Sequence, residues 1–304
     1  MIRHFLICCL SLGLLCSGSA HSQEPDAQEP LRAIGDEAFA AMARWFDYDP
    51  QPSNMRSTLV RNTAQGRVYQ IVFNSVGKRQ VPAYLELPLH GEAPYPCVVL
   101  IHGVSRSKEF WWTYGTTTEG KHKDRLVGEG FAVLGIDLPL HGVRAAEGDY
   151  IDPSALFAAG AESRLRNLFR DSVVDHRRAI DALWSRADID SSRIGVLGYD
   201  LGGSVAFALA ALETRVQASV ACVPPTIRDG LSVLAAQNYA PRIRKPFLML
   251  MAANSRTSSP EDAGQLRALV SVPSAEMKIY TSDDRLPIWY VGDAVSWFTT
   301  HLTP

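Results

Sequence analysis

The sequence predicts an α/β protein, a mostly parallel doubly wound sheet entered through an antiparallel hairpin. Short continuous apolar runs recur at residues 97–101, 131–136, 194–198, 218–222 and 247–251, with a shorter one at 277–280. Runs of this kind mark strands covered by helices on both faces. Helical segments lie between or after them at 171–185, 201–212, 260–269 and 293–302, and that alternation builds a parallel sheet. Ahead of the first run, 67–75 and 81–88 read as two strands separated by Gly77-Lys78-Arg79, a composition suited to a hairpin.

The chain has 304 residues, 46% of them hydrophobic and 20% charged, which excludes a collagen, a disordered tail and a disulfide-stapled mini-protein. With 30 Lys+Arg against 32 Asp+Glu the formal charge is −2. There is no broad basic field, so neither nucleic acid nor an anionic lipid surface is an expected partner. A small-molecule ligand held by a local site is the partner that remains, and the sequence specifies no oligomeric state.

At the N-terminus, Arg3 and His4 precede an apolar run over 5–15, and Gly18-Ser19-Ala20 supplies small residues for cleavage. This pattern predicts a signal peptide over 1–20 and an exported protein, periplasmic or secreted. The run is about half the roughly 20 residues that a membrane helix needs, so no span is expected after signal removal. Of five cysteines, Cys97 and Cys222 then remain, both in apolar runs, where two buried thiols fit better than a disulfide. No Cys/His spacing suggests zinc, and neither a metal nor a cofactor is expected.

Residues 21–58 read as a lead-in. The stretch 22–30 is polar, with two prolines, and 36–46 places Phe39, Met42, Trp45 and Phe46 on one helical face that would dock on the domain. The domain itself is assigned to 59–304, without internal repeat.

Several motifs follow the central strands in a fixed order: His102-Gly103, then Asp137-Leu138-Pro139-Leu140-His141-Gly142, then Gly198-Tyr199-Asp200-Leu201-Gly202-Gly203. In this order and strand context they resemble the α/β-hydrolase superfamily, over about residues 60–304. The segment from Asp175 through Asp188-Ile189-Asp190 to Arg193 is similar to dienelactone hydrolases and small exported esterases. The resemblance implies an α/β-hydrolase fold, and only residues 224–245 separate two strands where relatives carry a cap, so no large cap domain is expected.

Where this chain departs from the superfamily is informative. The strand-to-helix elbow needs glycines because flanking side chains would meet backbone, and Gly198 and Gly202 meet that need. The nucleophile between them is ordinarily Ser, and here it is Asp200. In the place of the triad acid, after residues 247–251, stands Ser255, within Ala252-Ala253-Asn254-Ser255. In the place of the histidine, Thr281-Ser282-Asp283-Asp284-Arg285-Leu286-Pro287 offers Arg285 or Asp284. Glu261 and Asp262 read as first-turn carboxylates of a helix, and His301 as an ordinary helix ending.

Triad chemistry requires a neutral imidazole to take the hydroxyl proton and a carboxylate to hold its tautomer. A guanidinium stays protonated and has no lone pair to offer, so Arg285 cannot be that base. Three readings follow. In the first, the protein is a non-catalytic binding relative in which the Asp200 carboxylate caps the helix that starts at Leu201 and takes the amides meant for substrate. In the second, Asp200 is a nucleophile, as in the haloalkane dehalogenases and epoxide hydrolases of this fold, with His102 the candidate base for a water. In the third, Asp200 and Arg285 close the site as an ion pair.

The resemblance assigns an oxyanion hole to the backbone N–H groups of Val104 and Leu201. His102 and His141, at strand carboxyl ends, read as residues that order loops or, for His102, move a proton. Tyr199 adjoins the elbow as a binding residue. Phe110, Trp111, Trp112 and Tyr114 read as packing that could also wall a pocket, and 145–170 as a candidate lid.

Overall fold

The computed structural model describes residues 29–113 and 118–303. Residues 1–20, expected to be a signal peptide, and Tyr114 lie outside the described residues. From Leu31 onward the chain forms a single unit built on a nine-stranded sheet in the order β1-β2-β3-β5-β4-β6-β7-β8-β9. The strands are β1 (Arg56–Asn62), β2 (Gly66–Asn74), β3 (Gln80–Pro88), β4 (Tyr95–Ile101), β5 (Ala132–Ile136), β6 (Ile189–Tyr199), β7 (Val216–Cys222), β8 (Phe247–Ala252) and β9 (Ala275–Tyr280). Pairing is antiparallel from β1 to β5 through β2 and β3, and parallel from β5 to β9. This is the mixed sheet that the sequence predicts.

The five longer apolar runs are buried on both faces, whereas the shorter one, in the edge strand β9, leaves Ile279 exposed. Along β4, Val99 and Ile101 pack into one core with Val196, Phe207 and Phe247, whereas Val98 and Leu100 pack into the other with Leu197, Trp111 and Phe298. The period-2 alternation of strand side chains sends neighbours to opposite layers. Cys97 and Cys222 are free thiols in this interior, and burial pushes the Cys97 thiol up to about 12, so it stays protonated and inert.

The helices are α1 (Asp36–Ala43), α2 (Glu109–Trp112), α3 (Thr118–Gly128), α4 (Pro153–Ala158), α5 (Glu162–Trp184), α6 (Leu201–Leu212), α7 (Pro260–Leu269) and α8 (Tyr290–Leu302). The chain leaves β4 through α2 and α3 to reach β5 on one side, and leaves β6 through α6 to reach β7 on the other. The crevice between the carboxyl ends of β4 and β6 is therefore the topological switch point, where ligands bind in open α/β sheets.

Local departures from the sequence-based expectation have simple causes. The strand β1 crosses the 58/59 boundary between lead-in and domain. All seven of its residues are exposed, so it carries no core-facing pattern and is held by its ladder to β2. The helix α1 docks as expected through Phe39, whose ring meets Tyr239 at 6.1 Å, but Trp45 is exposed. A short 3₁₀ turn over Arg44–Phe46 rotates it off the stripe. The helix α5 starts nine residues before the predicted 171, because its arginine-rich first turns hide the apolar stripe of Leu165, Leu168, Phe169 and Val173.

Candidate functional site

Asp200 stands between β6 and α6 with φ 55° and ψ −119°. A positive φ is uncommon for a side-chain-bearing residue. The turn is enforced by neighbours. A Cβ on Gly198 would lie 1.8 Å from the Gly202 carbonyl oxygen, and one on Gly202 would lie 2.3 Å from that of Ile101. The Asp200 N–H donates to the Cys222 carbonyl at 2.9 Å, and its own carbonyl accepts from Gly203 at 2.8 Å, fixing the elbow from both sides.

The Asp200 carboxylate does not point freely into the crevice. Its Oδ2 accepts the Val104 N–H at 2.9 Å, and a Cβ on Gly103 would come within 2.8 Å of the same oxygen. Burial raises the Asp200 pKa, while the Val104 and Leu201 amides pull it back down; Asp284 adds to the rise and Arg106 opposes it. Desolvation outweighs the amides, so the folded protein favours the neutral acid more than water does.

His102 is held at both ring nitrogens. The Leu138 N–H donates to Nε2 at 3.0 Å, which leaves the proton on Nδ1 to be donated to the Gly103 carbonyl at 2.8 Å. Burial drives its pKa well below the ordinary histidine value, with His141 adding to the effect. His141 packs against it at 5.0 Å between centroids and bonds through Nδ1 to the Pro139 carbonyl at 2.7 Å. The loop under both rings is fixed by Asp137, which accepts the Lys108 N–H and the Lys108 ammonium, both at 2.8 Å, and the Val143 N–H at 3.1 Å.

The opposite wall comes from the loops after β8 and β9. Asp284 accepts from the Arg256 backbone at 3.1 Å and from Arg256 Nε at 3.0 Å, and Ser255 with Arg256 holds its pKa below the usual value despite some burial. The Ser255 hydroxyl also receives the Thr257 N–H at 3.2 Å. Tyr199 ties this loop to the elbow: its hydroxyl donates to the Asp284 carbonyl at 2.6 Å and accepts the Leu286 N–H at 3.1 Å. Arg285 is exposed, with its backbone N–H on Asp283. Among the described residues the bridge between Asp200 and Arg285 does not form. The ion pair that does form joins Arg256 to Asp284.

Between these walls lies a cavity of about 580 Å³ whose lining includes Asp200, Tyr199, Arg106, Arg256 and Arg285. Of the aromatic cluster, Phe110 and Trp111 line it. Trp112 instead donates to the buried Glu86 at 3.0 Å. Residues 145–170 contribute nothing to the lining, and the 3₁₀ segment Gly142–Gly148 is held to α5 by the buried Arg144–Asp175 pair at 2.8 Å. Arg106 and Arg256 escape sequence reasoning because no motif position marks them.

Residues 43–228, more than half the chain, match the acetyl xylan esterase (AXE1) family. The chain belongs to that family, within the α/β-hydrolase superfamily that its motifs resemble. Among curated proteins it is 25% identical over 223 residues to esterase FrsA of Escherichia coli O157:H7 and 27% identical over 225 residues to esterase FrsA of Serratia proteamaculans. These alignments cover 73% and 74% of this chain but 43% and 44% of the relatives, so the chain spans less than half their length. The acetyl xylan esterase from Paenibacillus sp. R4 superposes with a TM-score of 0.67 at 18% identity, over 90% of this chain and 97% of that one. Acetyl xylan esterase 1 from Thermoanaerobacterium sp. JW/SL YS485 gives 0.67 at 17%, over 90% and 96%. These structural likenesses concern the fold.

Proposed function

We propose that this family member is a ligand-binding relative that does not turn over esters by the serine route, and that it works outside the cytoplasm after loss of residues 1–20. One observation carries the reading: the Asp200 carboxylate accepts the Val104 N–H, one of the two amides that would otherwise stabilise an acyl-transfer oxyanion. A carboxylate in that seat is an internal occupant. The absence of a usable imidazole supports the same reading. Among the described residues His102 is the one histidine that lines the cavity, and both its nitrogens are engaged.

The test is hydrolysis of 4-nitrophenyl acetate by the parent, by Asp200→Asn, and by a triple variant carrying Asp200→Ser, Ser255→Asp and Arg285→His. A silent parent beside an active triple variant is the expected result. Turnover by the parent that Asp200→Asn abolishes overturns the reading.

One feature favours a second reading, in which Asp200 attacks a carbon and forms a covalent ester. The strained elbow conformation is kept, and strain of this kind gathers at functional sites. That route needs a water activated by a base other than His102. Mass spectrometry of the peptide holding Asp200, after turnover in heavy-oxygen water, decides it: solvent oxygen in the carboxylate supports the ester, and its absence during turnover eliminates it.

A further inference from the structure

The cavity has a charge imbalance that the binding reading does not use. Among the described residues five charged side chains line it: Arg106, Arg256, Arg285, Asp200 and Asp284. Arg256 and Asp284 neutralise each other at 3.0 Å, and the Asp200 carboxylate is turned into the Val104 amide. That leaves two guanidinium groups. Among the described residues neither Arg106 nor Arg285 has a carboxylate within ion-pair distance, and both are exposed at the rim. The Arg106 guanidinium carbon lies over the Phe110 ring, 4.5 Å from its centroid. Planar guanidinium forks match a carboxylate in shape and charge.

The inner part of the same cavity is apolar and aromatic, with Trp111, Val223 and Leu286 in its lining. Its volume of about 580 Å³ lies within the range of small-molecule sites. Asp200 at the floor repels a second anion, so an anionic ligand would enter with its charge outward and its apolar body inward. A dianion would press one charge against Asp200.

Resting on the binding reading above, we propose that this cavity takes a small organic monoanion with a flat apolar body, its carboxylate between Arg106 and Arg285 at the rim and its body against Phe110 and Trp111. Specificity then lies in the rim arginines, which the triad positions alone do not reveal.

Calorimetric titration of the full chain with benzoate and with its neutral counterpart benzamide tests this. Benzoate is expected to bind one to one and at least about tenfold more tightly than benzamide, the difference expected of a charge-assisted bond. Arg106→Gln and Arg285→Gln should each weaken benzoate about tenfold and leave benzamide unchanged, consistent with loss of one such bond. Both residues are exposed, so the fold should persist. Asp200→Asn should strengthen benzoate by removing the opposing charge. Equal affinity for the two probes, no benzoate binding up to about 10 mM, or arginine variants with unchanged benzoate affinity would each overturn the proposal. The same samples assayed with 4-nitrophenyl acetate report separately on the binding reading: Asp200-dependent turnover sinks that reading, whereas the benzoate titrations alone judge the anion site.

Discussion

On the β4/β6 side of the cavity, backbone amides hold the functional groups: Val104 bonds Asp200, Leu138 bonds His102, and Lys108 and Val143 bond Asp137. On the β8/β9 side the ion pair reaches solvent, with the Arg256 side chain 89% exposed and Asp284 25% exposed. The first wall is fixed by backbone packing around Gly198 and Gly202. The second is held by side chains on loops. The contrast shows that packing dictates the elbow whatever side chain stands at position 200, whereas the backbone of the second wall leaves its residue types open.

The sharpest way to break the first wall is Gly202→Ala. The new Cβ would sit 2.3 Å from the Ile101 carbonyl oxygen and 2.8 Å from that of His102, and backbone on a central strand cannot retreat. A loss beyond the roughly 1–3 kcal/mol of ordinary overpacking is expected, seen as insoluble protein or a collapse of Tm in thermal denaturation. A variant that melts like the parent would show the elbow to be less constrained than its contacts require.

Next in size is Lys108→Met. The Lys108 side chain is 4% exposed and that of Asp137 fully buried, so removing the cation leaves an uncompensated carboxylate. Breaking a buried pair in this way costs about 3–5 kcal/mol, here softened by the two amides that remain on Asp137. Urea unfolding should show the loss as a lower midpoint with unchanged slope.

How much of this was legible in the sequence depends on what fixes each residue. Gly198, Gly202 and the His102-Gly103 pair could be read because backbone geometry permits so few alternatives there. The edge strand β1 could not, since all its side chains face solvent and no periodicity marks it. That His102 is engaged at both nitrogens depends on where the Leu138 N–H falls, which only the folded chain decides. The late loop was ambiguous between Asp284 and Arg285 for a similar reason: one residue of register in a loop leaves no spacing signal. In the folded chain the Tyr199 hydroxyl bonds the Asp284 carbonyl, while the Arg285 side chain is exposed and lines the cavity.

A third, smaller effect links the well-bonded wall to what lies behind it. His122 is buried between Trp111 and Tyr290, with ring centroids 6.4 and 4.5 Å away, and among the described residues neither ring nitrogen has a hydrogen-bond partner. Burial lowers its pKa from 6.5 to about 3, and that of His176 to about 4. The unfolded chain takes up these protons near pH 6.5 and the folded chain only near pH 3 to 4, so the unfolded state binds more protons in that window. Stability therefore falls as pH drops through it. His122→Phe removes one such group and should recover roughly 3 kcal/mol at pH 4 relative to the parent, while the two proteins differ little at pH 8. Parallel slopes of Tm against pH would refute the assignment.

The smallest expected effect is the most informative about the second wall. Arg256→Gln removes the cation of an ion pair just as Lys108→Met does, but in solvent, where Coulomb attraction is screened and water replaces the lost partner. Tm should stay within error of the parent. The Arg256 backbone N–H still reaches Asp284 at 3.1 Å, and Tyr199 still holds the loop through the Asp284 backbone, so the wall keeps its place. What changes is charge: Asp284 is left facing the rim unneutralised, which should weaken benzoate binding in calorimetry, by less than Arg285→Gln does, without affecting benzamide. Loss of Tm in this variant would mean that the loop is held by its ion pair. A silent calorimetric result would mean that Asp284 lies too far from the ligand to matter.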